Sequence, residues 1–143
     1  MHLTTRSLAA AALTAVLLAG CKKEAPAPPP VTQTPAAPAV IGFTLGSAIG
    51  ADRRVTVPKD TFAVRDTIYA SIATEGVGDN VKLKAVWTFG SETVRADSLM
   101  LNTTGPATSE FHISRPRAWP VGAYRVSVTL NDGEAQTRDF TVR

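Results

Sequence analysis

The sequence predicts an all-β fold, an antiparallel sandwich of seven strands that follows an export signal and a Pro/Ala-rich tether. Three observations carry this expectation. Ile68, Ala70 and Ile72 alternate with Thr67, Tyr69 and Ser71, and Tyr124, Val126, Val128 and Leu130 alternate with Arg125, Ser127 and Thr129. Val81, Leu83, Ala85, Trp87 and Phe89 alternate in the same way with Lys82, Lys84, Val86 and Thr88. A period of two is the signature of a strand with one buried face. No stretch after Val40 sustains a 3.6-residue apolar stripe, and Val, Thr and Ile crowd the alternating runs. With 143 residues in all, the chain has room for one domain, placed at 40–143.

Within that domain the strands are expected at 41–47, 66–74, 81–89, 92–102, 108–114, 122–131 and 135–142. Gly90-Ser91 suits a two-residue type II′ turn, because glycine accepts the positive φ at the first position. That register pairs Trp87 with Val94 and Lys84 with Asp97, yet continued further it turns Leu99 and Leu101 onto the lysine face. One inserted residue, a bulge near Ala96-Asp97, restores both leucines to the core. At Asn131-Asp132-Gly133 a three-residue loop with Gly133 left-handed sets Phe140 opposite Tyr124, whereas a two-residue turn would set it opposite Arg125.

The N-terminal region carries an address. Met1 to Arg6 is basic, Leu8 to Ala19 is apolar apart from Thr14, and the run closes on Leu18-Ala19-Gly20-Cys21. The apolar run is shorter than the roughly 20 residues a bilayer core demands, so residues 1–20 read as a signal peptide rather than a permanent span. Leu18-Ala19-Gly20-Cys21 resembles the bacterial lipobox. That resemblance implies a diacylglyceryl group on the Cys21 thiol, cleavage before it, and a mature chain that begins at Cys21 with three acyl chains. Two or more chains give stable attachment where one is marginal. Lys22, in the second mature position, resembles an outer-membrane address, with the domain facing the periplasm.

Residues 21–39 form the tether. Six of the ten prolines lie between Pro26 and Pro38, which is incompatible with helix or central strand. Such a chain favours polyproline II at about 3.1 Å per residue and reads as a spacer that packs on nothing.

Trp119-Pro120-Val121-Gly122-Ala123-Tyr124, the alternating valines after it, the Asn-Asp-Gly turn and Phe140-Thr141-Val142 resemble the last hairpin of bacterial immunoglobulin-like domains. The resemblance implies that Tyr124 makes a tyrosine corner and that Trp87 is the core tryptophan of the sandwich. It departs from antibody-type domains in lacking both cysteines of the inter-sheet disulfide. Fold alone leaves the activity open.

Composition removes most catalytic chemistry. Cys21 is the one cysteine and His2 and His112 are the two histidines, so a redox pair, a Cys-rich zinc site and most triads are excluded. Alternation turns His112 outward between Phe111 and Ile113, and no nucleophile elbow or phosphate loop accompanies it. No cofactor and no small-molecule ligand are expected. The net charge of +3 and pI of 9.4 are basic, but an exported domain is not expected to meet nucleic acid.

Seven alternating strands sort the loops into two ends. One gathers Glu75, Asp79, Asp132 and Glu134, where Asn80 and Asn131 could add carbonyl oxygens to a calcium site, although solvated turn acids are the commoner cause. The other gathers Lys59, Arg65, Arg115 and Arg117. There Arg115 and Arg117 flank Trp119 as candidate partner-binding residues, the alternative being that Trp119 plugs the sandwich while both arginines are hydrated. The resulting expectation is a non-enzymatic outer-membrane lipoprotein that holds an immunoglobulin-like domain out to envelope proteins or a wall polymer. Alternatives are an assembly or stabilising factor of a larger envelope complex and a small periplasmic hydrolase using His112.

Overall fold

In the computed structural model residues 34–143 are described. The expected signal peptide, the lipid attachment expected at Cys21 and most of the expected tether therefore lie outside the described residues. Eight strands follow in order: β1 Ala39–Gly46, β2 Thr61–Phe62, β3 Ile68–Glu75, β4 Val77–Phe89, β5 Glu92–Thr104, β6 Ala107–Ile113, β7 Gly122–Leu130 and β8 Gln136–Val142. Seven match the expected strands to within a few residues. The eighth, β2, runs parallel to the end of β8 and is too short to show a period.

The strands build two sheets, β1-β3-β6 and β2-β8-β7-β4-β5. Alternation decides what lies between them. Ile68, Ala70 and Ile72 from β3, Val81, Leu83, Ala85 and Trp87 from β4, and Tyr124, Val126 and Val128 from β7 are all buried. An aromatic chain fills one half of the core: Phe62 meets Phe140 edge-on at 5.6 Å, Phe140 stacks on Tyr124 at 5.2 Å, and Tyr124 meets Trp119 at 6.1 Å. Such contacts add to the burial of the rings themselves.

Register confirms the parity argument and relocates its device. Leu83 faces Leu99 and Val81 faces Leu101, so both leucines do share the core side. The pairing has two irregularities, one between Gly78 and Val81 and one between Thr88 and Trp87; at the latter Thr93 and then Arg95 are the partners, which makes Val94 an extra residue. The bulge thus precedes Ala96-Asp97, Trp87 faces Arg95 rather than Val94, and Lys84 faces Ser98 rather than Asp97. Arg95 and Asp97 consequently occupy core-parity positions. Gly90 takes the positive φ of 56° that the first turn position requires.

At the last hairpin Tyr124 does face Phe140. The turn, however, is not built on Gly133. Asn131 and Asp132 carry the positive φ values, 49° and 57°, and the Gly133 N–H donates to Leu130 O at 2.9 Å. This is a type I′ turn, followed by one unmatched residue that restores the parity. The Asn131 side chain holds it in place by accepting from the Lys82 N–H at 2.8 Å.

The tether does pack at its end. Ala36 O accepts from the Val77 N–H at 2.9 Å, and Gly76, with φ of 105°, has no room for a side chain because a Cβ would overlap the Ala37 carbonyl. The chain is therefore fixed to the β3–β4 corner several residues before Val40.

Candidate functional site

The pairings Ala39 with Glu75 and Gly122 with Val142 place the loops at two ends. The chain comes in at the end holding Glu75, Asp79, Asp132 and Glu134. Arg65, Arg115 and Arg117 are exposed at the opposite end, together with Arg143, whose N–H donates to Phe62 O at 3.0 Å. Arg143 went unnoticed in the sequence, although the antiparallel run of β8 beside β7 carries it to this tip.

Trp119 is 3% exposed and belongs to the core. Its main-chain N–H donates to Val64 O at 2.7 Å and its indole Nε1 donates to Asp66 O at 2.9 Å. The ring plugs the sandwich beneath the segment between β6 and β7. Tyr124 completes the corner by donating its hydroxyl to Pro120 O at 2.9 Å, and burial pushes the phenol above its ordinary pKa. The guanidinium of Arg115 lies 5.4 Å from the Trp119 ring centroid, a cation–π position on an exposed residue. Among the described residues Arg65, Arg115, Arg117 and Arg143 form no ion pair, whereas Lys59 is held by Asp66 at 3.0 Å. Asp66 also accepts from the Ala63 N–H, and this bond first, then Lys59, draws its carboxyl below the ordinary value.

At the acidic end, no group of three or more His, Cys, Asp or Glu side chains is arranged to hold a metal among the described residues. The carbonyl oxygen of Asn131 is committed to the Lys82 N–H, and the Asn80 main chain is tied to Asn102 at 2.9 Å. His112 points outward, its Nδ1 3.0 Å from Glu110 Oε1 and its ring beside Tyr69. Ser109 is buried on the opposite face of the same strand, so the two cannot form a nucleophile–base pair.

Two shallow depressions lie along the seam where β5 passes β6. One, of about 380 Å³, is lined by Phe89, Val94, Arg95, Ser114, Arg115 and Trp119. The other, of about 490 Å³, is lined by Arg53, Arg95, Asp97, Leu99, Glu110 and His112. Arg95 lines both, the first adjoining the basic tip through Arg115 and the second lying beside Leu99 and His112.

No family model matches the chain, and no curated protein does. Among solved structures, an immunoglobulin-like protein from Pseudomonas aeruginosa superposes with a TM-score of 0.52 at 11% identity, covering 76% of this chain and 98% of that one. The fold is an immunoglobulin-like sandwich. A β-glucosidase from Listeria innocua also matches, with a TM-score of 0.45 at 10% identity over 71% of this chain. The chain spans 16% of that enzyme's length. A β-glucosidase involved in saponin metabolism from intestinal bacteria gives a TM-score of 0.42 at 16% identity, over 77% of this chain and 16% of that one. No helix among the described residues is long and apolar enough to cross a membrane.

Proposed function

We propose that the chain is a non-enzymatic, lipid-anchored protein of the bacterial cell envelope whose immunoglobulin-like domain binds an envelope protein or a wall polymer through the tip bearing Arg115 and Arg117. The observation that carries this reading is positional: two exposed arginines, without ion-pair partners among the described residues, sit at the end opposite the point where the chain comes in from the tether. A domain anchored at Cys21 on the outer membrane would present that end away from its anchor, toward a periplasmic partner. Exposed guanidinium groups suit carboxylates and phosphates, which envelope polymers and acidic protein surfaces both offer. The opposed faces of Ser109 and His112 support a binding role over hydrolysis.

A photo-crosslinking residue at Ala118, between the arginines and Trp119, tests the reading in intact envelopes. Adducts with an envelope protein or wall fragments are expected, together with a mature N-terminus at Cys21 that bears acyl chains by mass spectrometry. A soluble, unacylated N-terminus would overturn the anchor, and adducts formed equally from the acidic end would overturn the tip.

A further inference from the structure

We infer that the free edge of β6 takes up an extended acidic segment of a partner protein, added as a further strand along the groove between β5 and β6. The inference rests on the reading of the domain as a binding module and specifies what it binds.

The four outer strands of the two sheets are treated differently. On β1 the carbonyls of Val40 and Phe43 accept from Gln136 Nε2 at 2.6 Å and Arg138 Nε at 2.7 Å, so side chains of β8 cover that edge. β2 has only two residues. β5 is broken by the bulge at Val94, and it carries the Arg95–Asp97 pair, bonded at 2.6 and 2.9 Å, on its inner side. Bulges, short strands and inward charges are the devices that blunt an edge. β6 shows none of them. Its seven residues pair with β3 alone, and among the described residues no side-chain hydrogen bond joins β5 to β6. Every second residue of such a strand points its N–H and C=O away from its single neighbour.

Side chains state what the added strand should carry. Leu99 lies at a core-parity position opposite the fully buried Leu83, yet it is 37% exposed because nothing closes the seam over it. An apolar residue at alternate positions of the incoming strand would cover it. The charges favour acids at the positions between. Arg95 and His112 already have Asp97 and Glu110 beside them, while Arg53 and Arg115 line the two depressions with no ion-pair partner among the described residues. Among the described residues that line the two depressions, Glu92 is the one acid without an ion-pair partner. The turn Gly50–Arg54, closed by Arg53 N–H on Gly50 O at 3.0 Å, holds Arg53 at a φ of 62° beside β6. Strand addition of this kind draws affinity from main-chain bonds and selectivity from alternate side chains.

The test uses the full chain in detergent and three labelled peptides of equal length, one alternating Glu and Val, one Lys and Val, one Glu and Ser. Fluorescence anisotropy should show the Glu/Val peptide binding best, with Leu99→Ser and Arg53→Glu each weakening it by about tenfold. Amide exchange should show new protection in β6. Equal binding of all three peptides, protection confined to 114–121, or binding unaffected by both substitutions would overturn the inference. So would a chain that sediments as a dimer with β6 already protected, because a second copy would then be the occupant. If tip crosslinks survive while no peptide binds, the strand-addition inference fails alone.

Discussion

Trp119 Nε1 donates to the main-chain carbonyl of Asp66, 53 positions earlier, at 2.9 Å. This bond, with the one from Trp119 N–H to Val64 O, ties the segment before β7 to the segment before β3 and closes the basic end of the sandwich. Trp119→Phe keeps a ring and removes one donor, so a loss of about 1–2 kcal/mol is expected in urea melts. Trp119→Ala empties the plug and should cost about 3–5 kcal/mol. A neutral Trp119→Ala would mean that the ring is not seated in the core.

Trp87 provides the contrasting case. It is fully buried, and among the described residues its Nε1 has no hydrogen-bond partner. An orphaned buried donor costs stability that its removal returns. Trp87→Phe should therefore change stability by less than about 1 kcal/mol, the returned desolvation offsetting the smaller ring, whereas Trp87→Ala should cost about 3–5 kcal/mol. A large loss in Trp87→Phe would show that the indole N–H is in fact satisfied.

The turn between β7 and β8 makes a prediction that separates three adjacent residues. Asn131 and Asp132 bear the positive φ values, so Asn131→Val should destabilise by about 2 kcal/mol through backbone strain and the lost bond to the Lys82 N–H. Asp132→Gly should stabilise slightly, since glycine accepts that conformation freely. Gly133→Ala should cost less than Asn131→Val. The reverse ranking in denaturant midpoints would restore Gly133 as the left-handed residue.

These residues also show where sequence reasoning reached its limit. Parity is a global constraint, since one misplaced residue inverts an entire face, so the pairing of Tyr124 with Phe140 and the core side of Leu99 and Leu101 are legible. The location of the correcting residue is a local matter. A bulge at Val94 and one at Ala96-Asp97 both bring Leu99 inward, and the difference lies only in whether Arg95 and Asp97 follow it. The open seam lets Arg95 and Asp97 face inward and still meet water, which alternation along a strand does not reveal. Arg115 and Arg117 were legible as a basic tip because loop order follows from strand count. The groove beside β6 was not, since it depends on which sheet β5 joins.

Asp66 supplies a pH prediction. The Ala63 N–H and then Lys59 favour its ionised form in the folded chain, so its folded pKa lies below the ordinary 3.8. A depressed carboxylate contributes stability that is fully present above about pH 4 and is lost as pH falls through the folded value. Asp66→Asn should flatten the acid limb of the stability profile below about pH 4. Asp139→Asn should leave it nearly unchanged, because the Arg125–Asp139 pair is solvated on both sides.

The functional prediction follows from the two ends carrying opposite charge. Arg115→Glu with Arg117→Glu reverses the tip without touching the core, because both side chains are exposed and the hydrogen bonds of Trp119 do not involve them. Folding should survive, the only expected loss being the cation–π contribution of Arg115, on the order of 0.5–1 kcal/mol at an exposed site. Association with the partner should slow, since exposed charges act chiefly on encounter, and the effect should shrink as salt shortens the screening length below about 8 Å. The matched pair Asp79→Lys and Asp132→Lys adds positive charge at the end where the chain comes in and, if the proposed anchoring holds, should alter association much less. Association rates measured on all three proteins across a salt series decide the matter. Equal rates, with folding verified, would remove the tip as the working surface, and a larger effect from the acidic end would move that surface to the end where the chain comes in.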